Sequence, residues 1–354
     1  MFRDDEKART PGWTDGEKNG GINVEDRYEK RLQQLEEQVR EARESDAWVE
    51  ALYTGRQAGS LGEPAETILH AADALPSIRT VAYQGKEGSY SARAAGLLFP
   101  GLPSKGWADV QGACRAVVEG EAQVVVLPLD NSTAGTVNEV YDRMLEFRLH
   151  IIRSISISIR HSLLGVPGTR MEEIREIHSH PQALAQCAGY IRRQGWKGVP
   201  AENTAFAAEM VALRRDPEVA AVGSSEAAAI FGLEVIQEGI SDQDCNQTRF
   251  VALTRQACIL PGASRVSLAF MLPHESGSLL KALSVFSDRG LNLTKIQSRP
   301  LMDKPWEYCF YLDFQAQRED DGPGGEARRG LQALCHLARF TPELVFLGWY
   351  PEIT

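Results

Sequence analysis

Val124-Val125-Val126-Leu127-Pro128-Leu129 runs without a break into Asp130-Asn131-Ser132-Thr133-Ala134-Gly135-Thr136-Val137. The apolar run, rich in valine, reads as a strand buried on both faces. Polar side chains and a glycine then gather just past its end, where open α/β sheets bind ligands. Upstream, residues 80–83 form a short strand and 84–91 a glycine-containing turn. Ala94, Ala95, Leu97 and Leu98 follow at helical spacing. A helix entered this way presents free backbone N–H groups at its start, a seat for an anion. The spacing fits neither a Walker loop nor a dinucleotide fingerprint, and an organic carboxylate is the expected guest.

Downstream the same alternation continues. A helix over 138–145 leads to a strand over 149–159, in which Ile151, Arg153, Ile155, Ile157 and Ile159 share one face. A strand at 174–178 ends at Ser179, an N-cap, with Pro181 in the first helical turn. Gln182 and Gln186, four apart, project from one face of that helix. Further units follow at 196–199, 204–213, 219–222, 225–231 and 233–236. Asn246-Gln247-Thr248-Arg249-Phe250 then opens the apolar strand Val251-Ala252-Leu253. Polar groups at the mouth of a buried strand are costly unless paired or used. The order predicts an α/β fold with largely parallel sheets. Residues 264–350 read differently, as a separate βαββαβ, ferredoxin-like unit.

With 354 residues, two or three domains are expected. The net charge of -10 argues against a nucleic-acid partner, and no apolar run reaches the roughly 20 residues that cross a membrane. An acidic, polar start is unlike a secretory signal, so a cytoplasmic location is expected. Six scattered cysteines without a Cys-x-x-Cys pair read as reduced, packed thiols, and no metal is predicted. Residues 1–24 read as disordered. Over 25–77 a helix with a coiled-coil-like seam (Tyr28, Leu32, Leu35, Val39, Ala42, Val49, Tyr53) precedes a glycine-rich linker. That helix either packs on its own subunit or serves self-association.

Four segments, 85–91, 128–137, 179–187 and 246–250, stand in the order of the signature segments of prephenate dehydratases, and the chain resembles that family over about 78–352. Gly277-Ser278-Leu279 and the stretch Leu291 to Pro300 resemble the two effector-binding motifs of its ACT regulatory domain. The resemblance implies two α/β subdomains, similar to a periplasmic binding protein, at 78–258, and an ACT domain at 264–352. It implies conversion of prephenate to phenylpyruvate by loss of carbon dioxide and the ring hydroxyl, with no cofactor because aromatisation drives the step. By the same resemblance Thr248 assists the departing hydroxyl through a hydrogen bond, its pKa being too high for a free acid. Arg249 offers a fork to a carboxylate or braces the cleft, and Phe250 walls the ring. Ser89, Asp130, Asn131, Ser132, Ser179, Gln182, Gln186 and Thr204 complete the expected substrate set.

Gly277, Ser278, Leu279, Asn292, Ser298 and Arg299 would hold L-phenylalanine between paired ACT domains, in a homodimer or homotetramer. Gln297 replaces the usual glutamate of that motif, and Asp130 a usual glutamate of the cleft. Some members carry a chorismate mutase in front; one helix and a linker leave too little chain for an active one here. Competing readings are an arogenate dehydratase and a non-catalytic amino-acid sensor. The intact polar set at all four cleft segments weighs against the sensor.

Overall fold

The computed structural model describes residues 67–353 except 69, 244, 302 and 303. The disorder expected over 1–24, and the helix and most of the linker expected over 25–77, lie outside the described residues. At the end of the linker Ala72 bridges to Cys258, and Leu75 and Ile78 pack against the core beside Val81.

The first lobe runs β1 (Val81–Gln84), α1 (Tyr90–Leu98), β2 (Ser104–Trp107), α2 (Val110–Val118), β3 (Val124–Asn131), β4 (Gly135–Thr136), α3 (Asn138–Glu146) and β5 (His150–Ser158). The chain then crosses to a second lobe: β6 (Ser162–Gly165), β7 (Glu176–Ser179), α4 (Pro181–Gln186), α5 (Ala188–Gln194), β8 (Lys197–Pro200), α6 (Thr204–Arg214), β9 (Val219–Gly223), α7 (Ser225–Phe231) and β10 (Glu234–Gln237). It returns through β11 (Gln247–Thr254). Ser89 caps α1 by accepting from Ala92 N at 3.2 Å, and Asn203 caps α6 by accepting from Phe206 N at 2.7 Å. By contrast α4 is capped by the His180 ring, which accepts from Gln182 N, and not by Ser179.

In the first sheet β11 lies between β5 and β3, antiparallel to both, while β1 is parallel to β2 and β3. The second sheet has the order β10-β6-β9-β7-β8, with β6 antiparallel to its neighbours and β7 parallel to its own. Both sheets are therefore mixed rather than largely parallel, because the strand that receives the chain after each crossing, β6 or β11, runs against its neighbours. The single apolar face expected over 149–159 is also split. Arg153 pairs with Ala252 but Ile151 with Leu253, so β5 bulges at Ile152. Ile151 joins the core under α2 and α3, while Ile152, Ile155 and Ile157 join the core under α1.

The C-terminal module is the expected βαββαβ unit: β12 (Arg265–Met271), α8 (Ser278–Ser287), β13 (Leu293–Leu301), β14 (Lys304–Gln315), α9 (Glu326–Ala338) and β15 (Leu344–Tyr350). Its antiparallel sheet, ordered β13-β14-β12-β15, carries α8 and α9 on one face. The other face belongs to the first lobe: Ala269, Cys309, Tyr311 and Leu347 share a core with Leu127, Met144 and Ile151. Gly348 marks the closest approach, since a Cβ there would lie 2.3 Å from the Ile151 carbonyl oxygen. After it, β16 (Glu352–Ile353) adds to the first sheet, parallel to β5. Among the described residues no helix is long and apolar enough to cross a membrane.

Candidate active site

A cavity of about 300 Å³ opens between the two lobes. β11 and the residue before it supply Asn246, Thr248 and Phe250, and β3 supplies Asn131. Alternation along β11 puts these three on one side, and Thr248 stands directly opposite Asn131 in the β3 register. The start of α1 brings Ser89, the start of α6 brings Thr204, and α4 brings Gln182 and Gln186.

Hydrogen-bond directions are fixed from the backbone outward. Asn131 Oδ1 accepts from the N–H groups of Thr133 and Ala134 at 3.0 and 2.8 Å. A backbone N–H can only donate, so the amide nitrogen of Asn131 must face the other way. It donates to Thr248 Oγ1 and Asn246 Oδ1, both at 2.8 Å. Thr248 therefore accepts from Asn131 and keeps its own proton to give. Asn246 Nδ2, buried beside it, has no partner among the described residues. Two donors are thus left over on adjacent residues of the cavity wall.

A second chain of contacts reaches this pair from across the cleft. His161 Nε2 lies 2.9 Å from Gln186 Oε1, and Gln186 Nε2 donates to Thr133 Oγ1 at 3.0 Å. Thr133 in turn donates to Asn131 Oδ1 at 2.7 Å. Burial pulls the His161 imidazole below its ordinary value, although the Gln186 contact favours the charged form. Among the described residues no lysine or arginine lines the cavity, and Glu202 is its one carboxylate. An anion bound here would rest on neutral donors and on the N-termini of α1 and α6. Among the described residues no three His, Cys, Asp or Glu side chains cluster as a metal would need.

Residues 81–258, both lobes of this cleft, match the prephenate dehydratase family. The chain belongs to that family. Arogenate dehydratase/prephenate dehydratase 2 of Arabidopsis thaliana is 38% identical over 286 residues, covering 77% of this chain and 73% of the relative. Among solved structures, prephenate dehydratase in complex with L-Phe from Arthrobacter aurescens has a TM-score of 0.68 and 29% identity, over 77% of this chain and 89% of that one. The quorum quenching acylase GqqA has a TM-score of 0.69 and 32% identity, over 78% and 98%.

Within this dehydratase cleft the structure gathers Ser89, Asn131, Gln182, Gln186, Thr204, Thr248 and Phe250. Four expected substrate residues are elsewhere. Arg249 and Asp130 lie on the opposite face of the same strand pair, bonded to each other at 2.5 Å beside the C-terminal module. Ser132 staples its turn, donating to Cys245 O and accepting from Gln247 N. Ser179 is fully buried and donates to Val222 O at 2.6 Å. Sequence reasoning missed His161 and Thr133. Thr133 stood inside the quoted polar run; His161 follows the alternating strand at the first crossover, a break visible only once β6 is known.

In the C-terminal module Gly277, Ser278 and Leu279 open α8, with Gly277 at a φ of +88°. Arg299 is separated from Ser298 by strand alternation. It turns to the first lobe, bonding Asn138 O and Asp142 Oδ1 at 2.7 Å each.

Proposed function

We propose that this chain converts prephenate to phenylpyruvate, and that its C-terminal module is an ACT-type unit regulated by L-phenylalanine. The orientation of Asn131 carries the reading, because it leaves the Thr248 proton to be donated into the cleft. Loss of the ring carboxylate as carbon dioxide pushes electrons toward the ring, and the C–O bond breaks to release hydroxide. A donor at the departing oxygen stabilises the charge that develops there. Nothing else is asked of the protein beyond holding the dianion in reach, which the helix starts and amides of the cleft suit. The same geometry disfavours the acylase activity named for GqqA, since Thr248 Oγ1 accepts from an amide and, among the described residues, donates to no base that could activate it.

A second reading, arogenate as substrate, is favoured by Glu202, whose carboxylate on the cavity wall would suit an ammonium group. For the effector, Asn292 stands just before β13 and Ser298 within it, six residues on, which is about 20 Å of extended chain. A single amino acid cannot touch both in one chain, so the expected effector set requires two modules side by side, in a homodimer or homotetramer.

Incubating the purified chain with prephenate and, separately, with arogenate tests the reading. Phenylpyruvate from the first acid, or phenylalanine from the second, distinguishes the substrates; no product from either sinks the proposal. Thr248→Val should still bind the substrate while kcat falls on the order of a hundredfold. Unchanged turnover in that variant would reject the role given to the hydroxyl.

A further inference from the structure

Directly behind the cleft pair Thr248 and Asn131 lies a second pair, Arg249 and Asp130, in adjacent register on the same two strands. Strand alternation points the first pair into the cavity and the second toward the C-terminal module. There the module supplies two opposite charges. Asp130 shares its carboxylate, one oxygen taking Lys295 Nζ and the other Arg249 Nε at 3.0 Å. Arg249 Nη2 also meets Asp313 Oδ2 at 2.7 Å. The four side chains alternate in sign, two from β3 and β11 and two from β13 and β14. Lys295 is held by all three of its protons: besides Asp130 it reaches Tyr141 OH at 2.8 Å and Thr136 Oγ1 at 3.1 Å. Its side chain is only 14% exposed, and Asp313 only 2%.

We propose that Lys295, a residue of the C-terminal module, is a positioning residue for the dehydration site. It fixes Asp130 and, through it, the strand end that aims Asn131 at Thr248. The leverage is short, because Asp130 and Asn131 are neighbours and the β3–β11 register already shifts between Arg249 and Phe250. Here the module acts as a fixed support behind the strands of the active site, whether or not it binds an effector. The inference rests on the dehydratase reading for its kinetic arm, so a second arm is independent of activity.

The kinetic arm compares the full chain with Lys295→Met, Asp130→Asn and the double variant. Lys295→Met should lower kcat about tenfold with KM changed less than about threefold, the scale expected when a reacting group shifts by a fraction of an ångström. Asp130→Asn should do the same, and the double variant should lose no more than the worse single one. Should Lys295→Met fail to fold, Asp130→Asn decides alone. Unchanged kcat, a loss confined to KM, or additive losses would each overturn the proposal. The other arm is amide hydrogen exchange in the same variants. Faster exchange at 247–250, with 219–223 unchanged, supports the positioning role; identical exchange at 247–250 overturns it. Absence of turnover in the unmodified chain would count against the dehydratase reading instead, and the exchange arm would still decide this one.

Discussion

Asn131 does three things with one amide: it holds the turn that follows β3, it bonds Asn246, and it tells Thr248 which way to give its proton. His161 stands one step further back and is the most buried histidine of the cleft, 2% exposed. Its Nδ1 has no partner among the described residues, so a second proton there would meet no acceptor. Burial lowers its native pKa, and the unfolded chain therefore takes up that proton first. The stabilising contribution is complete above the ordinary value of 6.5 and is lost as pH falls below it toward the depressed native value. Denaturant unfolding should show stability declining between pH 7 and pH 5, with a shallower decline in His161→Asn. His178 and His180, also lowered by burial, act in the same direction. Equal slopes for the two proteins would remove His161 from this account.

At the scale of elements, the strand that Asn246–Phe250 opens was legible in the sequence. So was the grouping of polar residues at strand ends, which is why seven of the expected cleft residues do line it. Arg249 and Asp130 were misplaced because the whole polar run was assigned to the cleft, whereas alternation turns every second residue to the other face, which is covered by a module encoded much later in the chain. The bulge at Ile152 was hidden too, because a one-residue irregularity leaves no compositional trace. The docking of that module is sharpest at Gly348, whose φ of +157° and contact with Ile151 leave no room for a side chain. Gly348→Ala should lower stability by about 1–3 kcal/mol, the usual cost of overpacking. Thermal unfolding would measure it, and an unchanged midpoint would show that the β15–β5 approach can relax freely.

At the scale of the whole molecule, two strand crossovers join the lobes. Ile159 N bonds Asn246 O at 2.8 Å, and Ile240 N bonds His161 O at 3.0 Å, so the crossovers brace each other. Across the cleft mouth Lys86 pairs with Glu209 and Arg93 with Glu226, at half-exposed positions where ion pairs contribute little. Closer in, Ser224 Oγ donates to Gly88 O and Gln186 Nε2 to Thr133 Oγ1, while the C-terminal module shares a core with the first lobe. L-Phenylalanine should bind the full chain in calorimetry and lower turnover by about tenfold at saturation, a common size for coupling between sites. No heat of binding would sink the effector assignment.

The chain order of β11 has one more consequence. The second lobe is a single continuous segment, 162–237, inserted between β5 and β11. As the polypeptide leaves the ribosome, that lobe can close on itself while the first still lacks its central strand. β11, which bears Thr248, threads into a gap between two strands made long before it. The edge of β5 waits longer still, for Glu352 and Ile353. In nascent chains, then, the half that holds Thr248 is finished last, after the half that faces it across the cleft is complete.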